Sequence, residues 1–218
     1  MRREIDLEEI SDGNRYNRDS MVRISCNDCE GCSNCCHDMG TSIILDPYDV
    51  YELCKGLDTD ANRLLCTCVE LNVVDGIILP NIKMGEGDNP SCGFLTSDGK
   101  CSIHNIRPGF CRLFPLGRIY ENGSFSYFNQ IHECNYPNKS KVKIKKWLDI
   151  PAIAEYEKFV LDWHDFLKKA EEHLSGCTDE EIKRIDMSIL NIFYLSPYDF
   201  GESFYPQFYE RLERINVL

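Results

Sequence analysis

The chain lacks any apolar run approaching the roughly 20 residues needed to cross a bilayer, and its mean hydropathy is negative. It also lacks basic charge, with 24 Lys and Arg against 36 Asp and Glu and a net charge of −12. A nucleic-acid binder needs a basic footprint to displace counterions, so neither nucleic acid nor membrane is an expected partner. The one basic stretch (Lys139, Lys141, Lys143, Lys145 and Lys146) reads as a solvated strand or helix start. The N-terminus, Met1-Arg2-Arg3-Glu4-Ile5-Asp6, turns acidic at once and has no apolar signal core, which points to the cytoplasm. No internal repeat and no low-complexity linker is present. A glycine-rich dinucleotide loop after a strand is missing too. Met84-Gly85-Glu86-Gly87-Asp88 has two glycines but no strand–turn–helix context. The CxxxCxxC spacing of radical enzymes and a recognisable catalytic acid–base pair are both absent, so the sequence leaves open whether the protein is an enzyme.

What the chain has is sulfur. It carries 13 cysteines in 218 residues, and Cys26, Cys29, Cys32, Cys35 and Cys36 fall within 11 positions. Packing does not explain that density, because cores use free cysteine singly, as a small hydrophobe. Five thiolates on one loop repel one another unless a cation sits among them. In a reducing compartment, clustered cysteines bind metal or do redox chemistry more often than they form disulfides. An odd total also fits a full disulfide framework poorly.

The rest of the pattern predicts an α+β fold. An N-terminal arm spans 1–22 and a cysteine-cluster core of small hairpins and loops spans 23–140. A helical extension over 141–218 packs on that core. Thr41–Leu45 reads as a short strand, and Asp46-Pro47 starts a helix whose inner face holds Tyr48, Tyr51 and Cys54 or Leu57. Asp58 or Asp60 caps a second helix with Leu64, Leu65, Cys68 and Leu71 on one face. Core packing is therefore the better explanation for Cys54 and Cys68, while Cys66 falls off the stripe. Asp75-Gly76, Asp98-Gly99 and Asn122-Gly123 separate β-prone runs and predict hairpins. From about 145 the chain reads as helical to Gly176. A second helix opens at Thr178-Asp179-Glu180-Glu181, and a last one carries Phe208, Leu212 and Ile215.

Beyond the first cluster, Cys92, Cys101 and Cys111 each stand at a turn, and Cys134 lies further on. Loops let ligands converge without breaking a ladder. Soft thiolates select zinc, iron or an iron–sulfur cluster over magnesium or calcium, and a two-residue gap lets two thiolates reach one ion. Adjacent side chains of an extended backbone point to opposite faces. The Cys35-Cys36 pair thus favours two metal positions unless a turn brings the two together. His37, His104 and His132 are candidate nitrogen ligands, with His132 favoured because it precedes Cys134 by two. His164 and His173 read as helix residues. Arg107 and Arg112 flank Cys111, and each is either a donor to cluster sulfur or an anionic ligand, or one half of an Arg–carboxylate pair.

The string CEGCSNCC at 29–36 resembles the signature of the YkgJ-like cysteine-cluster proteins, a zinc- or iron-chelating family. The resemblance continues through SIILDPYDVYEL at 42–53 and PSCGFLTSDGKCSIHNIRPGFCRLFPLG at 90–117. It implies a metal-ligand set of Cys29, Cys32, Cys35, Cys36, Cys92, Cys101, Cys111 and Cys134. Cys26 extends the motif as an extra ligand or a spare thiol, and Cys54, Cys66, Cys68 and Cys177 fall outside it. Some relatives are labelled flagellin lysine N-methylases, a branch associated with an iron–sulfur cluster. Three functions follow as expectations. The first is a metal-binding structural, storage or trafficking module, with metal ions and another protein as partners. The second, implied by the resemblance alone, is a cluster-dependent lysine N-methylase-like enzyme. The third is a ferredoxin-like electron carrier. Cys26, Cys29, Cys32 and Cys36 have a ferredoxin run's spacing, although His37 stands where that run has proline.

Overall fold

The computed structural model describes residues 7–26 and 32–215. Backbone chemistry sets its turns. Asp75 (φ 51°) and Gly76 (φ 86°) both take the left-handed conformation, as do Asn122 (φ 53°) and Gly123 (φ 69°). Each pair closes a two-residue hairpin. One joins β2 (Val69–Val74) to β3 (Ile77–Ile82), and the other joins β4 (Leu116–Glu121) to β5 (Ser124–Asn129). A third two-stranded sheet is long-range. β1 (Met21–Ser25) pairs antiparallel with β6 (Ser140–Lys143), in the register Met21↔Lys143 and Arg23↔Lys141. The basic stretch is thus β6 and the helix start after it, with Lys141, Lys143, Lys145 and Lys146 exposed. The N-terminal arm carries one helical turn, α1 (Leu7–Ile10), and then lies along β5, where Tyr16 and Tyr127 exchange backbone hydrogen bonds of 2.9 Å.

Helix α2 (Pro47–Gly56) begins at a reciprocal capping box between Asp46 and Asp49, with proline at its first position. Asp60, not Asp58, caps α3 (Ala61–Thr67). That helix is shorter than the apolar stripe suggests, and Leu71 lies in β2, 43% exposed. Val69, Leu71 and Val73 also alternate, and the Asp75-Gly76 turn decides the matter for strand. Cys54 is buried and Cys68 packs half-buried against the core, as a packing role requires. The expected strand at Thr41–Leu45 reduces to one bridge, Ile44↔Asn81, because the chain turns directly into the Asp46 cap. Asp98-Gly99 likewise gives one bridge, Leu95↔Cys101, since only Gly99 (φ 76°) is left-handed.

The C-terminal part is helical, with a break. α5 (Ile144–Leu148) stops where Asp149 turns left-handed (φ 49°), and α6 (Ile153–Leu174) starts only after Pro151 and a left-handed Ala152 (φ 51°). A proline there cannot continue an α5 ladder. α7 (Asp179–Leu190) opens on the Thr178–Glu181 capping box, runs into a π-helical turn at Asn191–Leu195, and is followed by α8 (Phe204–Arg214). The core of this part is aromatic. Phe159 meets Phe208 at 4.7 Å and Phe204 at 5.1 Å between ring centroids, and Trp163 meets Phe193 at 4.9 Å.

These helices pack on the hairpin-bearing half, giving the expected α+β arrangement. Tyr48 of α2 stacks on Tyr205 of α8 at 5.9 Å. The hydroxyls of Tyr51 and Tyr194 donate to the Glu202 and Leu45 carbonyls at 3.0 and 3.1 Å. Among the described residues no helix is long and apolar enough to cross a membrane. Phe159→Ala removes a ring shared by α2, α6 and α8 and is expected to cost about 3–5 kcal/mol in urea denaturation. Leu71→Ser, on the exposed strand face, is expected to cost no more than about 1 kcal/mol.

Candidate metal centre

The first cysteine segment ends in a 3-10 turn, Asn34–Cys36, closed by the Cys36 N–H on the Ser33 carbonyl at 2.8 Å. The chain then runs beside residues 90–92. Asp38 N–H donates to Pro90 O at 2.9 Å, and Cys92 N–H donates to Cys36 O at 2.8 Å. The other side of this segment is held by Met84 and Gly85, through a Met84↔Cys92 bridge and a 2.7 Å bond from Gly85 N–H to Ser91 O. The two-glycine loop over 84–88 is thus the turn that returns the chain to Cys92, with Gly87 left-handed (φ 113°). Cys101 follows in the same turn system, through the Leu95↔Cys101 bridge and the bond from Leu95 N–H to Cys92 O at 2.9 Å.

Cys111 rides on α4 (Gly109–Leu113), a single turn fixed by two buried charged residues. The Asp49 carboxylate accepts the Gly109 N–H at 2.7 Å, tying α4 to α2. A side chain at Gly109 has no room, since a Cβ there would lie 2.3 Å from the Tyr156 hydroxyl. Arg112 donates to the carbonyls of Arg107 (3.0 Å), Leu148 (3.2 Å), Asp149 (2.9 Å) and Asn105. It pairs with no carboxylate among the described residues and does not line the thiol cavity. Instead it clamps the loop before Cys111 to the C-terminal carbonyls of α5, where a cation is favoured. Neither role expected for Arg112 is the one it has. Cys134 lies between β5 and β6, and its carbonyl accepts from Lys139 Nζ.

These pieces enclose one cavity of about 470 Å³. Cys32, Cys35, Cys36, Cys92, Cys101, Cys111 and Cys134 all line it, as does Cys26 at the end of β1. Cys29, the eighth cysteine of the expected set, lies outside the described residues. Cys54, Cys66, Cys68 and Cys177 do not line the cavity. Of the three candidate histidines only His104 lines it; His132 is exposed and His37 sits outside the wall. Sequence spacing had favoured His132, but nearness to a cysteine in the chain does not carry a side chain inward. Arg107 lines the cavity and contacts His104.

The electrostatics tie five of the sulfurs together. The Cys35 thiol donates to the Cys36 sulfur, which raises Cys35 and lowers Cys36. The two adjacent side chains therefore meet in the turn, and the opposite-face argument for two separate centres does not apply to them. Burial pushes the Cys92, Cys101 and Cys111 thiols up, and nearby cysteines add to each shift. For Cys111 the Asp49 carboxylate adds more still. Arg107 opposes the rise at Cys35 and Cys101. Among the described residues no disulfide forms. Nor do any three Cys, His, Asp or Glu side chains already stand at the spacing of a metal's ligands. The thiols ring a space. The described donors on the wall, eight thiols with His104 and Glu133, are mostly soft and fit zinc, iron or an iron–sulfur cluster. Arg112→Lys cannot reproduce a planar fork that reaches four carbonyls. It is expected to lower stability by about 3 kcal/mol in urea denaturation of the metal-free protein.

The family model described as "CxxCxxCC: Putative zinc- or iron-chelating domain" matches residues 28–140. No curated protein and no solved structure matches the chain. The matched segment is just over half of the sequence and holds every expected ligand cysteine, and on that ground the chain belongs to the CxxCxxCC family.

Proposed function

We propose that this protein binds zinc or iron, iron either as ions or as an iron–sulfur cluster, in the thiol-lined cavity. Cys29, Cys32, Cys35, Cys36, Cys92, Cys101, Cys111 and Cys134 are the ligand set, and Cys26 is a further donor. The observation that carries this reading is the cavity, where the seven described members of the set meet from separate stretches of chain. Bound metal would supply positive charge that lets these buried thiols ionise, with release of their protons. The protein's own residues do the rest. The 3-10 turn holds Cys35 and Cys36 side by side, the 84–92 ladder sets Cys92, and Asp49 with Arg112 fixes the helix of Cys111.

Five sulfurs in mutual electrostatic range exceed the four that a tetrahedral ion accepts. That surplus, with three more thiols on the same wall, favours two metal positions or one polynuclear centre inside a single cavity over one mononuclear site. So many thiols without a disulfide among the described residues also favour a reducing, cytoplasmic setting. A structural, storage or trafficking role needs nothing beyond this centre and a protein partner to receive metal. The ferredoxin-like and methylase-like readings need an electron acceptor or a methyl donor in addition.

Purification without oxygen, with metal and sulfide analysis and a visible spectrum, tests the proposal. Broad visible absorption with sulfide identifies an iron–sulfur cluster, and colourless protein with stoichiometric zinc identifies a closed thiolate site. Cys35→Ser and Cys111→Ser are expected to lose most of the metal and become poorly soluble. Cys177→Ser, whose sulfur donates to the His173 carbonyl at 3.4 Å away from the cavity, is expected to keep both. Equal metal content in all three variants would contradict the ligand assignment.

A further inference from the structure

Several buried polar atoms among the described residues have no hydrogen-bond partner, and only one of them belongs to a residue lining the thiol cavity. That atom is Arg107 Nε. The backbone of Arg107 is held in place. It follows the 3-10 turn His104–Ile106, precedes Pro108, and gives its carbonyl to Arg112 Nε at 3.0 Å. Nη1 meets His104, and among the described residues no carboxylate forms an ion pair with this guanidinium. A buried N–H with no acceptor, on a permanently charged group, is an unfavourable arrangement that folded proteins seldom keep. It becomes favourable when an anionic acceptor is present.

The acceptors at hand are mostly sulfur, since Glu133, the one described carboxylate on the wall, is exposed. Arg107 shares the cavity wall with the thiols, and its charge bears on Cys35 and Cys101, which come from different chain segments. Neutral thiols accept hydrogen bonds poorly. Metal-bound thiolates accept them well, and a centre built mostly of thiolates around divalent ions keeps a net negative charge. We propose that Arg107 is a positioning residue for the metal centre. Its Nε–H donates to a thiolate sulfur on the cavity wall in the loaded protein, and its charge offsets the excess negative charge of the thiolates. This rests on the cavity being the metal site. Groups that hydrogen-bond metal ligands commonly change metal affinity 10–100-fold when removed. A thiolate on the wall would give this donor its acceptor.

The test uses the full-length protein loaded with cobalt(II) in place of the native metal, free of oxygen. Affinity is measured by competition with a chromophoric chelator, and the sulfur-to-cobalt charge-transfer band is recorded alongside. Arg107→Met is expected to bind cobalt about 10–100-fold more weakly. Its band should move to lower energy, because a thiolate relieved of a hydrogen bond donates charge more readily. Arg107→Lys keeps the charge and is expected to fall between wild type and Arg107→Met in affinity. Wild-type affinity and an unmoved band in Arg107→Met would overturn the proposal. Should Arg107→Met fail to fold, Arg107→Leu removes the donor and the charge alike with a shorter side chain, and wild-type values for both measurements in that variant would overturn it equally. Wild-type protein that takes up neither cobalt, zinc nor iron would instead bring down the metal reading itself.

Discussion

A sulfur anion taken out of water needs a cation beside it, and this protein gathers thiols where no resident cation is sufficient. Burial raises Cys92, Cys101 and Cys111, and their neighbours raise them further. Among the described thiols only Cys36 is made easier to ionise, by Cys35 beside it, and Arg107 offsets part of the rise at Cys35 and Cys101. Positive charge beside these thiols would favour their ionised form. The rest of the fold brings these sulfurs to one cavity wall.

The holding is done by hydrogen bonds placed at the ends of long chain segments. β1 and β6 pair across the whole cysteine-bearing stretch, from Cys26 just after one strand to Cys134 shortly before the other. Closing a loop that long costs little more entropy than closing a shorter one, so a few ladder bonds and the packing behind them are enough. The packing comes from the helical part. Trp147 of α5 lines the cavity and donates its indole N–H to the Phe114 carbonyl at 3.1 Å, while Arg112 binds the end of the same helix to the loop before Cys111. The helical part therefore reaches the thiol cavity through α5.

Much of this was legible in the sequence wherever local chemistry decides. Asn122-Gly123 and Asp75-Gly76 gave hairpins because both residues of each pair accept positive φ. Asp46-Pro47 and Thr178–Glu181 started helices because their side chains satisfy the free N–H groups of a first turn. Reading failed where two periodicities coincide or where distant residues decide. Leu71 fits both the stripe of α3 and the alternation of β2, and the helix reading was the wrong one. The break between α5 and α6 needed more weight on Pro151 than an apolar stripe allows. The pairing of β1 with β6 and the entry of Arg112 into a set of carbonyls are tertiary events with no local signature.

The cysteines themselves show which part of the pattern carries meaning. Cys66 and Cys68 are spaced more closely than the two-residue gaps of the signature, yet neither lines the cavity; Cys66 is exposed and Cys68 packs against the core. Cys26 lies before the matched family segment, and it does line the cavity, because β1 delivers it there. Spacing tells which thiols can chelate together if something holds them. The ladder from Met84 through Cys92 to Cys36 does the holding at one end, and Asp49 with Arg112 does it at the other. A thiol outside that frame stays off the cavity wall however near it stands in the chain, and a thiol inside it reaches the wall whether or not a motif includes it.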